Sequence, residues 1–368
     1  MKVLFVFGTR PEAIKLAPLI IEFRKHSGVE VSICITAQHR EMLDQSMRFF
    51  GITPDYDLNI MRPNQTLFDI TSSGLKGLEN VLNELRPDII FVQGDTSTAF
   101  IGALSGFYAG IKVAHVEAGL RSNNKHSPFP EETNRVLIGH IADLHFAPTE
   151  RGRENLIKEG IRDGIHVVGN SVIDAIFLCL ELIKDREVEI EERFAFINNG
   201  KRLVLVTGHR RESFGEPFKN ICKALRKVAL NTDVEIVYPV HLNPNVRKPV
   251  FEILAGIDNL HLIDPVEYPE LIWLLSKSHI VLTDSGGIQE EAPALGKPVL
   301  VMRDVTERTE GIEAGAARLV GTDTNAIFEG TMTLLNNSAI HGKMSKAVNP
   351  YGDGKTAKRI FNILDRTS

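Results

Sequence analysis

The chain has 368 residues, 43% hydrophobic and 24% charged, with a formal net charge of −5 at pH 7. That length exceeds one small core and suits two domains, while the apolar fraction excludes a disordered or fibrous chain. The mild acidity, with no run of Lys or Arg longer than a pair such as Arg210-Arg211, excludes a clamp for nucleic acid.

Residues 3–7, Val-Leu-Phe-Val-Phe, have no polar alternation, as in a strand buried on both faces of a parallel sheet. The run is too short for a signal peptide or a membrane span, so a cytoplasmic protein with no membrane partner is expected. Gly8-Thr9-Arg10-Pro11-Glu12 turns into a helix with Pro11 near its first position, where a missing N–H costs nothing, and Pro18 should kink that helix. Residues 29–35 read as a second strand, and Gln38-His39-Arg40-Glu41 opens the next helix. A third strand at 89–92 ends in Gln93-Gly94-Asp95-Thr96, with a helix of small residues behind it. Residues 113–116 are another strand, running into Glu117-Ala118-Gly119. A polar loop at 122–130 then leads to a helix starting at Glu131.

A strand and a helix occupy 167–185, followed by a charged tract at 186–193. The alternation restarts at 203–206 and continues with strands at 235–238, 259–263, 279–282 and 298–302. Alternating β and α units of this kind imply doubly wound parallel sheets. The expectation is an α/β protein of two Rossmann-like domains, 1–170 and 171–368, with the last helix packing back on the first. Cys34, Cys179 and Cys222 lie in apolar patterns without CxxC spacing, which fits buried thiols in a reducing compartment. His140 and His145 lack a carboxylate at ligand spacing, so no metal is expected.

The stretch at 283–298, TDSGGIQEEAPALGKP, combines a strand end, a Gly286-Gly287 turn and a helix start. Backbone N–H groups at a helix N-terminus hold an anion such as a diphosphate, and Glu290 or Glu291 one turn on suits ribose hydroxyls. With Asp284-Ser285-Gly286-Gly287, four more polar clusters end strands: Gly8-Thr9-Arg10, Gly94-Asp95, Glu117 and Gly208-His209-Arg210-Arg211-Glu212. Any one of them alone is an ordinary turn or cap. Five strand ends together describe a cleft of the kind open α/β sheets use for ligands.

The stretches FGTRPEAIKLAP, TAQHREMLDQ, HVEAGLRS, VTGHRRESFG, YPVHLNPNV, TDSGGIQEEAP and NPYGDG resemble the non-hydrolysing UDP-N-acetylglucosamine 2-epimerases from residue 3 to about 363. The resemblance implies a GT-B-like pair of domains with the active site in the interdomain cleft, UDP bound there, interconversion of UDP-GlcNAc and UDP-ManNAc for surface polysaccharides, and a homodimer. It places acid–base roles on Asp95, Glu117, Glu131 and His209. Nucleotide contacts fall on Arg10, Lys15, Ser285, Gly286, Gly287, Glu291 and Arg308. A regulatory UDP-GlcNAc site falls on Gln38, Gln65, Glu131, Arg210 and His241, with Glu41 and Asn64 where some relatives carry Gln and Arg.

Elementary chemistry narrows the mechanism. Carbon 2 of the sugar is not next to a carbonyl, so inversion needs either oxidation by a nicotinamide or elimination of the anomeric UDP. No GxGxxG follows a strand, so the oxidation route lacks its usual signature, and elimination without a cofactor is the expectation. The rival readings are a hydrolysing epimerase releasing ManNAc and UDP, a GT-B glycosyltransferase, and a catalytically dead nucleotide-sugar sensor.

Overall fold

The continuous apolar runs become the strands of two parallel sheets, one in each of two units. The computed structural model describes every residue except Gln38, His39, Pro63 and Ser368, and also not the side chain of Thr367. The first unit is Met1–Leu178 with Tyr351–Ser368, and the second is Cys179–Pro350.

The first sheet contains β1 (Lys2–Phe7), β2 (Glu30–Ile35), β3 (Tyr56–Asp57) and β4 (Ile89–Gln93), followed by β5 (Lys112–Val116), β6 (Leu144–Ala147) and β7 (Ile165–Val167). Its order is β3-β2-β1-β4-β5-β6-β7. The second contains β8 (Arg202–Thr207), β9 (Val234–Pro239), β10 (Leu260–Ile263), β11 (Ile280–Thr283), β12 (Val299–Val301) and β13 (Ala317–Leu319). Its order is β10-β9-β8-β11-β12-β13. The α/β architecture of two doubly wound sheets is the one the sequence implies. Three strands were not anticipated: β3 is two residues long, β6 carries His145 in its centre, and β13 has Arg318 in its centre.

The core explains the runs. Val3, Leu4, Phe5, Val6 and Phe7 are fully buried, and Phe5 stacks on Phe91 with ring centroids 4.9 Å apart while Phe23 meets both edge-on. Helix Arg10–Arg24 continues through Pro18 as one element. Helix Thr356–Thr367 returns to the first unit, where Asp174 accepts from the N–H of Thr356 at 3.1 Å and of Ala357 at 2.9 Å. Phe361 then lies edge-on to Phe23 at 5.2 Å. No helix among the described residues is long and apolar enough to cross a membrane.

Each strand order reverses once, between β1 and β4 in the first sheet and between β8 and β11 in the second. Crossovers on opposite faces leave a crevice beyond the carboxyl ends of those strands. In the first unit the crevice is braced by Glu12, which is 1% exposed. Its Oε2 accepts from the N–H of Gly8 at 3.1 Å and of Thr9 at 2.8 Å, and its Oε1 accepts from the Thr96 hydroxyl at 2.6 Å. The loop after β1 and the loop after β4 are thereby tied through one side chain. Burial pushes the Glu12 carboxyl up to about 7, against the pull of those three donors.

Close backbone approach fixes the loop after β5. Gly119 has φ +89°, and a Cβ there would lie 2.1 Å from the carbonyl oxygen of Gly152. Gly119→Ala is expected to destabilise the protein by at least about 2 kcal/mol, read as a fall in Tm of roughly 4 °C or more, because backbone strain and a backbone clash act together. Glu12 gives a second prediction. An acid with a raised pKa keeps, in the native state, a proton that the unfolded chain releases, so stability falls as pH rises from about 4.5 to about 7. Glu12→Gln removes that slope. Urea unfolding at pH 5.5 and at pH 8 should therefore show the variant gaining about 2 kcal/mol on the wild type between the two.

Candidate active site

In the first unit the chemistry-bearing groups gather where β1, β4 and β5 end. Glu117 follows β5 directly and has φ +66°, a left-handed conformation that costs a residue with a Cβ on the order of 1–3 kcal/mol. The backbone on either side holds it there: Gly94 donates to Val116 O at 3.0 Å, and Ala118 donates to Phe146 O at 3.1 Å. The twist aims the carboxylate back at the strand ends. Lys15 Nζ donates to Oε1 at 2.6 Å and to Oε2 at 2.8 Å, Asn170 Nδ2 donates to Oε1 at 3.1 Å, and Gln93 Nε2 donates to Oε2. Charge-assisted bonds of this kind fix a carboxylate far better than neutral ones.

Asp95, one residue past Gly94, is gripped from helix Glu131–Ile141. Arg135 Nε donates to its Oδ2 at 2.7 Å, and Asn134 Nδ2 donates to its carbonyl at 2.9 Å. Arg135 also reaches Glu132 at 3.0 Å. Burial raises the Glu132 carboxyl, but the N–H groups of Ser122 and Asn123 and the Arg135 guanidinium outweigh it, leaving the group below its ordinary value. Glu131 begins the same helix, one turn before Arg135, and its Oε2 is buried without a hydrogen-bond partner among the described residues. Arg10 opens helix Arg10–Arg24 with an exposed side chain.

In the second unit the loops after β8 and β11 meet. Ser285 occupies the N-cap position of helix Gly286–Ala294 without a capping hydrogen bond from its side chain, and the glycine pair are the helix's first residues. A Cβ on Gly286 would stand 3.4 Å from Arg210 Nη2 and 3.4 Å from Arg308 Cζ, so both guanidinia crowd the helix N-terminus. Orphan N–H groups, helix dipole and two arginines make an anion cradle. Arg308 Nε donates to Glu290 Oε1 at 2.9 Å, and the Arg308 N–H donates to Thr306 Oγ1 at 3.1 Å. Thr306 donates in turn to Gln289 Oε1 at 2.7 Å, and Arg303, almost fully buried, holds the same loop through Glu307 and the loop after β8 through Glu212. Glu291 Oε1 lies 3.6 Å from where a Cβ on Gly287 would be, one turn into the helix.

His209 stacks on His241 with centroids 5.2 Å apart and ring planes 14° apart. Burial holds the His209 imidazolium below its ordinary range, Asp284 opposes this, and His241 and Arg210 add to it. His241 Nδ1 accepts from the Asn243 N–H at 3.0 Å.

The structure thus brings Asp95, Glu117 and Lys15 to neighbouring strand ends of one unit, with Glu131 on the helix that grips Asp95. In the other unit it gathers Ser285, Gly286, Gly287, Glu291, Arg308, His209, Arg210 and His241. Arg210 stands with Arg308 at the cradle. Gln65 turns onto its own loop, donating to Ile60 O at 2.6 Å and accepting from the Arg62 N–H at 2.7 Å, while Gln38 lies outside the described residues. Sequence reasoning placed Asp284 among the cleft residues but not as the anchor of the His209 loop, and it missed Glu12, Gln93, Asn134, Arg135, Asn170 and Arg303 as site-forming residues. Their only signal was position, at a strand end or one turn from a named residue.

Residues 21–365 match the family model described as UDP-N-acetylglucosamine 2-epimerase. The UDP-N-acetylglucosamine 2-epimerase of Campylobacter jejuni is 54% identical over 371 residues, covering 99% of this chain and 97% of its own. The Neisseria meningitidis UDP-GlcNAc 2-epimerase, solved bound to UDP-GlcNAc, superposes with a TM-score of 0.92 at 49% identity over 100% of both chains. The Methanocaldococcus jannaschii UDP-GlcNAc 2-epimerase, solved with UDP-GlcNAc and UDP, gives 0.82 at 35% identity, again over 100% of both. With the family model matching most of its length and relatives matching it from end to end, the chain belongs to the UDP-N-acetylglucosamine 2-epimerase family, a family of isomerases.

Proposed function

We propose that this chain interconverts UDP-GlcNAc and UDP-ManNAc by eliminating UDP and adding it back, without net hydrolysis. The observation that carries the reading is the division of the strand-end groups: anchored carboxylates in the first unit, a cationic helix N-terminus in the second. A base among Asp95, Glu117, Glu131 and His209 takes the C2 proton, the electron pair forms the C1–C2 double bond, and the C1–O bond breaks toward the β-phosphate. The charge released on UDP is stabilised by Arg10, Arg210, Arg308 and the N–H groups of helix Gly286–Ala294, and Glu291 takes the ribose hydroxyls. The phosphate oxygen then adds back to C1 of the 2-acetamidoglucal while another group of the set protonates C2 from the opposite face. The steps sum to no change in oxidation state, so no redox cofactor is required. Positioned acid–base groups account for about 10²–10⁴ in rate per proton transfer.

In this reading Gln38, Gln65, Arg210 and His241 belong to a regulatory UDP-GlcNAc site beside the active site, with Arg210 shared between the two. The enzyme works as a cytoplasmic homodimer supplying UDP-ManNAc for surface polysaccharide, and three free, buried cysteines suit a reducing compartment.

Incubation of the protein with UDP-GlcNAc alone in D₂O, followed by NMR, tests the reaction. Both isomers should appear with deuterium at C2, and an ¹⁸O label in the anomeric bridge should scramble into non-bridging positions. Free ManNAc accumulating with UDP would mean hydrolysis, and no deuterium without an acceptor would favour a glycosyltransferase. UDP-ManNAc alone should turn over only after UDP-GlcNAc is added; hyperbolic turnover without it would remove the regulatory site. Arg308→Ala should weaken UDP binding about 10- to 100-fold in calorimetry, the range for losing charged hydrogen bonds to phosphate.

A further inference from the structure

Asp284 is the first residue after β11 and is 0% exposed. Its Oδ2 accepts two backbone donors, the N–H of His209 and of Arg210, both at 2.8 Å. Its Oδ1 is buried without a hydrogen-bond partner among the described residues and lies 4.0 Å from His209 Nδ1. Leaving such an atom unpaired costs roughly 1–3 kcal/mol, which a small rotation of the imidazole would recover. The scaffold around the pair is fixed. The Tyr238 hydroxyl, fully buried, donates to Gly208 O at 2.7 Å, and the His241 ring stacks on His209.

We infer that Asp284 is a positioning residue that sets the tautomer and orientation of His209, holding the proton on Nδ1 and leaving Nε2 as the working nitrogen. A neutral imidazole carries one N–H, and a carboxylate facing one nitrogen decides which nitrogen that is. Once Nε2 takes a proton, the imidazolium faces the same carboxylate. The groups acting on His209 are then Asp284 from the end of β11, His241 from the loop after β9, and Arg210 from its own loop. Asp284 favours the charged ring, and the other two oppose it. The inference rests on the acid–base role of His209 and adds the group that makes that role directional.

The test is Asp284→Asn. The amide oxygen can still accept from the His209 and Arg210 N–H groups, so the loop keeps its anchor, but the NH₂ now faces Nδ1 and forces the proton onto Nε2. We expect kcat for epimerisation to fall by at least about 10²-fold with KM for UDP-GlcNAc within about 3-fold, as for other histidines put in the wrong tautomer. ¹⁵N-histidine NMR should show His209 as the Nδ1–H tautomer in the wild type and as Nε2–H in D284N. The wild-type spectrum does not depend on the variant folding, and an Nε2–H tautomer there overturns the inference. So does D284N with wild-type kcat and pH profile. His209→Gln separates the two readings. If it keeps full exchange of the C2 hydrogen, the acid–base role of His209 falls and this inference with it. If it is inactive while D284N is unaffected, only the role of Asp284 falls.

Discussion

Both sheets depend on one physical device, a buried carboxylate that spans the gap where strand order reverses. In the first unit it is Glu12, accepting the N–H groups of Gly8 and Thr9 and the Thr96 hydroxyl. In the second it is Asp284, accepting the N–H groups of His209 and Arg210. The strands on either side of the gap send their chains to opposite faces, so no regular ladder joins the loops beyond them. Backbone N–H groups left there would be unpaired, and a side chain with several lone pairs satisfies two at once. The loops that carry Arg10, Asp95, His209 and Arg210 are therefore held by hydrogen bonds that are not part of either sheet.

That bracing allows the charged groups to be few and fixed. Glu117 takes a left-handed backbone that a free loop would abandon, and three side chains hold its carboxylate. Asp95 is fixed by Arg135 from a helix that also presents Glu131. At the other crevice Arg308 is oriented by Glu290 and by the Arg303-braced loop. Arranging the donors before any ligand arrives reduces the reorganisation required when charge develops.

The sequence carried the α/β architecture openly, because a strand buried on both faces must be apolar at every position. It hid β3, β6 and β13 for the same reason inverted. A two-residue strand has no period, and a strand with His145 or Arg318 at its centre breaks the apolar run. Strand ends with Gly8, Gly94, Gly208 and Gly286 were legible as site-forming, since glycine and polar residues interrupt apolar runs there. Glu12 looked like the first turn of a helix, and Asp284 like part of a glycine turn. What they do depends on which strands become neighbours, and local pattern does not encode that. Gln93, Asn170 and Arg135 come together with Glu117 or Asp95 across 24, 53 and 40 residues of chain.

The histidines show how geometry separates chemistry from packing. Burial lowers the pKa of His115 to about 3 and of His145 and His279 to about 4, and it lowers that of His209 as well. His115 is 1% exposed and fixed to Gly94 O at 2.7 Å, so it is a neutral wedge behind the Asp95 loop. His279 stacks on His341 at 3.9 Å, and its carbonyl is bonded by that ring. His209 alone among these four has a side chain nearly half exposed with a buried carboxylate behind it. A ring that can meet solvent or substrate on one side while a carboxylate holds the other is equipped to move a proton. A ring enclosed on all sides can only fill space.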